Sequence, residues 1–181
     1  MNGIHLIRAG LPNGESTPEI ELVDRLSSTL ARVFRTSVHA RTEALDVTGA
    51  FSEQRNQYHS TAILQAMQPL GGAGARLLCV TDCDLYVPVL TFVFGEAQLE
   101  GGCALVSTHR LHDEFYGLPP RPDLLRERLL KEAVHELGHT FGLRHCRDWR
   151  CVMASTHAVE RLDLKEFDFC RDCRRAVDDS G

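Results

Sequence analysis

Residues 135–145 read HELGHTFGLRH, which is the pattern H-E-x-x-H-x-x-G-x-x-H. On a helix, residues four apart lie one turn from each other on the same face, so the imidazoles of His135 and His139 can reach a single ion. Gly142 tolerates the left-handed backbone conformation that commonly ends a helix. The chain can then turn back and bring His145 to the same ion. This stretch therefore predicts a helix that carries a three-histidine metal centre.

The residue types in this stretch indicate a catalytic rather than a structural zinc site. Three imidazole ligands leave a fourth position open, which catalytic zinc sites require. Glu136 follows the first histidine and points beside the ion, so we expect it to act as a general base toward water. The ordinary alternative is two surface histidines on an amphipathic helix and a third in its cap. The extended spacing of the pattern favours the metal centre.

The seven cysteines point to a second metal site. Four of them form two close pairs near the end of the chain: Cys146 with Cys151, and Cys170 with Cys173. This spacing is typical of a structural zinc held by four thiolates. Four free buried thiols, or a site in which His157 replaces one cysteine, remain alternatives. Because His145 and Cys146 are adjacent, an extended segment could point one side chain to each metal.

Composition excludes several other classes of protein. With 181 residues and 43% hydrophobic side chains, the chain can form one large domain or a main domain with an appendage. A net charge of −5 argues against nucleic acid or an anionic membrane as partner. No apolar run is long enough to span a membrane, and the first residues lack the features of a secretory signal. We therefore expect a cytoplasmic protein whose partner is neither nucleic acid nor a membrane, and we expect it to be a monomer.

Hydrophobic periodicity predicts alternating strands and helices along the chain. Strands are predicted over 4–7, 36–45, 77–81, 90–94 and 104–107, and helices over 17–34, 55–67 and 123–141, with Thr17 as a helix cap before Pro18. This order indicates an α+β fold in which helices pack on a mixed sheet. On the last helix, the histidines are expected to face a cleft, and an apolar stripe is expected to face the sheet. The stripe consists of Leu130, Val134, Leu137 and Phe141.

The combined pattern H-E-x-x-H-x-x-G-x-x-H-C-x4-C-x-M, followed by C-x-x-C, resembles the archaemetzincins, a family of zinc peptidases. The resemblance runs over residues 135–173, and a weaker one includes 92–97. It implies a metzincin-like, mostly parallel sheet with packed helices, a zinc cleft on the active-site helix and a small C-terminal subdomain stapled by zinc. The implied division is 1–142 for the first part and 143–181 for the second. Met153 is implied to form the turn beneath the histidines.

The resemblance also implies a function and its site residues. The expected activity is hydrolysis of peptides or unfolded chains by metal-activated water, with two Zn²⁺ per chain, one catalytic and one structural. Some family members are aminopeptidases, which suggests the same specificity here. The implied cleft strand includes Gly95, Glu96 and Ala97. Glu96 could hold a substrate's free amine, and the commoner alternative is a solvated carboxylate on an edge strand. The alternative is a zinc-stabilised module that binds peptides with little or no cleavage.

Overall fold

The computed structural model describes residues 3–72 and 74–180. Its α-helices within that part of the chain are α1 (Ile20–Phe34), α2 (Ser60–Met67), α3 (Pro122–Thr140), α4 (Val159–Leu164) and α5 (Arg171–Asp179). Its strands there are β1 (Ile4–Gly10), β2 (Val38–Asp46), β3 (Phe51–Ser52), β4 (Gln57–His59), β5 (Arg76–Thr81), β6 (Leu85–Tyr86), β7 (Gly95–Ala97) and β8 (Cys103–Ser107).

The main sheet has five strands in the order β2-β1-β5-β8-β7. The first four are parallel, and β7 runs antiparallel to β8 at one edge, with Glu96 opposite Leu105. A second sheet of three short strands has the order β3-β4-β6. The predicted mixed, mostly parallel sheet with packed helices is confirmed, and β7 is the strand that places the predicted cleft residues at an edge.

Both faces of the main sheet are largely buried at its central strands β1, β5 and β8, whereas the edge strand β2 is mostly exposed. Alternate residues of β5 point to opposite faces: Leu78 and Val80 join the core under α1 and α3, while Leu77 and Cys79 join the core under α2. Strands β5 and β8 therefore consist of nearly continuous apolar runs rather than alternating ones. This explains why the prediction located β5 and β8 to within one residue.

Helix α3 confirms the predicted apolar stripe. Val134 and Leu137 are fully buried, Phe141 is nearly so, and Leu130 packs partly against the same core. The opposite side of the helix is also buried, because residues 131–138 all lie inside the protein. His135 therefore lines a pocket within the fold rather than an open surface.

The predicted strand over 90–94 is wrong. Val89 is 88% exposed and Leu90 is also exposed, so this segment follows the surface as a loop after Pro88. Only Val93 makes a single antiparallel bridge, to Leu85. An apolar run resembles a buried strand in sequence, but here its aromatic residues cover a pocket, and the edge strand starts only at Gly95.

Two predicted helix starts are also wrong. Helix α1 begins at Ile20 and not at the predicted cap, since the Thr17 hydroxyl donates to the carbonyl of Glu15 and lies against Gly10. Helix α2 begins at Ser60 because residues 57–59 form β4 instead. The Gln57 side chain donates to Asp84 and to the carbonyl of Thr91, which stabilises that extended segment.

The segment after α3 packs back onto the main body. Val152, Leu162 and Val177 belong to the same buried core as α1 and α3. Buried Arg128 of α3 donates to Asp163 of α4 at 2.7 and 2.8 Å, which fixes the two helices against each other. The division of the chain at residue 142 stays a prediction. Among the described residues, no helix is long and apolar enough to cross a membrane.

Candidate metal centre

The end of α3 turns the chain as the sequence predicts. Gly142 has φ +86°, and its N–H donates to the carbonyl of His139 at 2.9 Å. The N–H of Leu143 donates to the carbonyl of Gly138 at 3.2 Å. This pair of bonds is the Schellman arrangement, in which the residue after the helix adopts left-handed backbone angles. Glycine takes these angles without steric strain because it has no Cβ. The turn redirects the chain so that His145 faces the helix.

The three predicted histidines come together at one point. The Nε2 atoms of His135 and His139 are 3.1 Å apart. The ring of His145 lies 5.3 Å from that of His135 and 5.1 Å from that of His139, centroid to centroid. One nitrogen from each ring can be chosen so that all three lie within 4.8 Å of one another. This separation suits ligands that surround one zinc ion at roughly 2.0–2.1 Å each.

Backbone carbonyls orient the two helical histidines. Nδ1 of His135 lies 2.8 Å from the carbonyl oxygen of Val152, and Nδ1 of His139 lies 2.7 Å from that of Leu143. When Nδ1–H donates to these oxygens, the lone pair is on Nε2, which faces the shared centre. Zinc-binding histidines are usually held in this way by a hydrogen bond from the other ring nitrogen.

Burial keeps the imidazoles in the form that binds metal. Desolvation lowers the pKa of His135 well below its usual value, and the positive charge of Lys165 lowers it further. Burial also lowers the pKa of His139 and of His145. A neutral imidazole has a free lone pair, whereas a protonated one has none. The donor set and its protonation state therefore fit a zinc ion.

Glu136 lies beside the histidine centre in a desolvated position. It is 6% exposed, and burial raises the pKa of its carboxyl well above the usual range, with the charge of Glu132 adding to the effect. A Cβ on Gly95 would lie 2.7 Å from Cγ of Glu136 and 2.5 Å from the carbonyl oxygen of Leu105. Glycine at position 95 therefore lets the edge strand approach the Glu136 side chain closely.

Met153 packs directly beneath α3. It is fully buried, and a Cβ on Gly138 would lie 2.5 Å from its sulfur. The residues on either side of Met153 form part of the same turn: Val152 supplies the carbonyl that contacts His135, and the Ala154 N–H donates to the carbonyl of Cys151 at 2.9 Å. Met153 therefore lies buried against α3, and its role as the turn beneath a metal stays a prediction.

The four predicted cysteines also come together, and their sulfur atoms all lie within 4.8 Å of one another. Sγ of Cys146 is 3.8 Å from Sγ of Cys170, and the Cys170 N–H donates to Sγ of Cys151 at 3.3 Å. A tetrahedral zinc with four thiolates needs this kind of cluster. His157 lines a pocket at the histidine centre instead, so the four-cysteine set is favoured over the set that includes His157.

Local dipoles favour a thiolate in this cluster. Burial opposes ionisation of Cys170, but hydrogen bonds from the Cys173 backbone and neighbouring thiols outweigh it and lower its pKa. Cys170 is also the N-cap of α5, where the helix dipole favours negative charge. Burial raises the pKa of Cys151, so the cluster would not hold four thiolates without a cation.

Glu96 is anchored at the cleft rather than freely solvated. Its carboxylate accepts a hydrogen bond from the Thr61 hydroxyl at 2.8 Å and another from the Ser60 hydroxyl. Ser60 and Thr61 are the first residues of α2, so Glu96 also lies at the N-terminus of that helix. Its charge is held in place, half-buried, beside the pocket that Glu136 lines.

Two pockets meet at the histidine centre. One, of about 330 Å³, has walls from the loop 90–94 and from Glu132 and Thr156. The other, of about 550 Å³, runs along residues 95–97 of β7 and includes His139. Both contain His135, Glu136 and His145. The centre therefore has access to space on two sides, in the manner expected for binding an extended chain.

The sequence did not reveal two polar residues near this centre. Glu132 and Lys165 are buried and lie 3.5 Å apart, although 33 positions separate them in the chain. Charged residues are almost never fully buried without a partner, so their burial is informative once the fold is known. Sequence spacing contains no comparable signal, because the pair forms only when α4 packs beside α3.

A buried helix with three convergent imidazoles, an adjacent glutamate, a methionine turn below and an edge strand above defines a zinc metallopeptidase of the metzincin type. Comparison with known proteins agrees. The model of Peptidase family M54 matches residues 21–179. An archaemetzincin of Methanocaldococcus jannaschii is 45% identical over 132 residues, which cover 73% of this chain and 72% of that protein. The chain belongs to this family, the archaemetzincins.

Solved structures show the same relationship. A zinc-dependent peptidase from Methanocorpusculum labreanum superimposes with a TM-score of 0.82 at 31% identity, covering 97% of this chain and all of that one. Archaemetzincin from Archaeoglobus fulgidus, complexed with malonate, gives 0.79 at 34% identity, covering 96% and 99%. The fold inferred from the resemblance is thus confirmed over nearly the whole chain.

Proposed function

We propose that this zinc peptidase cleaves peptide bonds at the centre formed by His135, His139 and His145, with Glu136 as general base. One observation carries the proposal: the Nδ1 atoms of two of these histidines contact backbone carbonyls, so their Nε2 atoms converge on a common point. Desolvation lowers the pKa of all three imidazoles, so the neutral form that binds a cation is favoured.

A zinc ion at this centre would supply a Lewis acid that polarises the substrate carbonyl and acidifies the attacking water. The chain's own contribution is proton transfer. Glu136 takes the proton of that water and later delivers it to the leaving amine. Burial raises the pKa of Glu136, which makes its carboxylate a stronger base toward that water and supports this role.

Strand β7 is proposed to hold the substrate main chain. It is the last strand of the main sheet, so its outer edge can pair with an added extended peptide. Gly95, Glu96 and Ala97 would then lie alongside the peptide, next to Glu136. The pocket behind the loop 90–94 would accept one substrate side chain.

The four-cysteine cluster is proposed to hold a second, structural zinc. Four protein ligands leave no open position, and such sites contribute directly to folding. The cluster's Cys146 follows His145, so this metal would fix the loop that presents the third histidine. Thiolates bind metal only when reduced, which supports a reducing compartment such as the cytoplasm.

Aminopeptidase specificity is proposed on the basis of Glu96. The hydroxyls of Ser60 and Thr61 hold its carboxyl group at the rim of the cleft. A free substrate amine could therefore pair with it. Peptides with a free N-terminus should be cleaved faster than the same peptides after acetylation.

Chelation provides the test of the proposed function. A library of short peptides is incubated with the purified zinc-loaded protein, and products are identified by mass spectrometry. A chelator should first remove one zinc equivalent, from the open histidine site, and abolish cleavage, while the second equivalent leaves later with loss of folded structure. Added zinc should restore cleavage. Zinc binding without cleavage of any peptide would contradict the proposal and favour the alternative, a zinc-stabilised peptide-binding module.

A further inference from the structure

The buried side chain of Lys165 contacts the turn that contains Met153. Lys165 follows α4, and its side chain has no exposed surface. Nζ donates to the carbonyl of Val152 at 3.0 Å and to that of Ala154 at 3.0 Å. These are the two carbonyls that flank Met153, so a single ammonium group connects both sides of the turn.

The same turn supports two of the proposed zinc ligands. The Val152 carbonyl that accepts from Lys165 also contacts Nδ1 of His135 at 2.8 Å. The carbonyl of Met153 accepts from the N–H of Cys146 at 2.9 Å, directly after His145. Three successive carbonyls therefore connect Lys165 with His135 and with the segment that bears His145.

Glu132 supplies the countercharge for this ammonium group. Its Oε1 lies 3.5 Å from Nζ of Lys165 and has no hydrogen-bond partner among the described residues. Glu132 is on α3, three residues before His135, and is itself buried. Burying an ammonium group is costly unless it is paired and hydrogen-bonded. Between α3 and the turn, the Lys165 ammonium is both paired with Glu132 and hydrogen-bonded to the carbonyls of Val152 and Ala154.

We propose that Lys165 is a positioning residue for the histidine zinc site, acting through the carbonyl of Val152 on the ring of His135. It lies too deep to touch substrate and is not a ligand. Loss of its ammonium would leave the Ala154 carbonyl without this donor and release the turn, so the acceptor that orients His135 would no longer be fixed. The inference rests on the proposed function, because it assumes that the three histidines bind zinc.

The test compares the only two lysines of the chain. Lys131 is an internal control: it is equally buried, lies on α3, pairs with Glu127 at 2.6 Å and donates to the carbonyl of Asp163. We expect Lys165→Met to weaken binding of the more labile zinc by about 10–100-fold, the usual effect of losing a residue that supports a metal ligand. Lys131→Met should leave that affinity unchanged.

Zinc affinity is measured by competition with a chromophoric chelator, and folding by thermal unfolding of the same samples. The double variant Lys165→Met/Glu132→Gln keeps the proposal testable if the single variant fails to fold, since it removes the unpaired buried carboxylate. It should bind the labile zinc as weakly as Lys165→Met. Parental affinity in either folded Lys165 variant would overturn the proposal, as would equal weakening by Lys131→Met. A parent protein that binds no labile zinc would instead overturn the proposed function.

Discussion

Replacing Glu136 with glutamine is expected to lower peptide turnover by roughly 10²–10⁴-fold, the range that a general base contributes. The amide has nearly the same shape and fits beside Gly95, but it cannot accept a proton from water. Zinc content should not change, because Glu136 is not among the convergent ligands. The measurement is the initial rate of cleavage of the best library peptide, together with metal content by mass spectrometry.

Glu53→Gln is the matched control for this substitution. Glu53 is exposed in the turn between β3 and β4, so its loss should leave the rate at the parental value. If the Glu136→Gln protein retains zinc and cleaves peptide at the parental rate, Glu136 has no role as base. If it loses zinc, Glu136 contributes to the metal site rather than to proton transfer.

Replacing Cys151 with alanine is expected to have the largest effect on stability. The cluster would keep only three sulfur ligands, and the free energy that a structural zinc adds to folding, on the order of 10–16 kcal/mol in small zinc domains, would be mostly lost. Even a loss of about 5 kcal/mol would lower Tm by roughly 10–20 °C in a domain of this size. One zinc equivalent should disappear, and the affinity for the other should fall because Cys146 is next to His145.

Cys103→Ala controls for the removal of a buried thiol. Cys103 lies in the core beneath α2, away from the cluster, and is as buried as Cys151. Its replacement should cost about 1 kcal/mol and leave both zinc equivalents in place. Thermal unfolding and metal analysis of the two variants are compared. Equal Tm values for Cys151→Ala and Cys103→Ala would show that the four-cysteine cluster does not stabilise the fold.

The histidine and cysteine clusters are the part of this protein that sequence predicts best. Their convergence is set by local spacing: one helical turn separates His135 from His139, and a glycine in the left-handed region turns the chain toward His145. The cysteine pairs are similarly local. Local patterns of this kind depend little on how the remainder of the chain folds. The structure accordingly brings together all three histidines and all four cysteines.

Features that depend on packing between distant segments were not predictable. The apolar run 90–94 has the composition of a strand, but the sheet edge is taken by β7, and the run becomes a pocket wall. The anchoring of Glu96 by Ser60 requires α2 and β7 to meet. The pairing of Lys165 with Glu132 likewise depends on how α4 lies against α3.

The convergence of three imidazoles on one zinc is tested most directly by X-ray absorption at the zinc edge. The fully loaded protein should show sulfur ligands at about 2.3 Å from one zinc and nitrogen or oxygen ligands at about 2.0–2.1 Å from the other, with scattering from three imidazole rings. After the labile zinc is removed by a chelator, only the sulfur shell should remain. A spectrum without imidazole scattering, or with sulfur around both ions, would contradict the account.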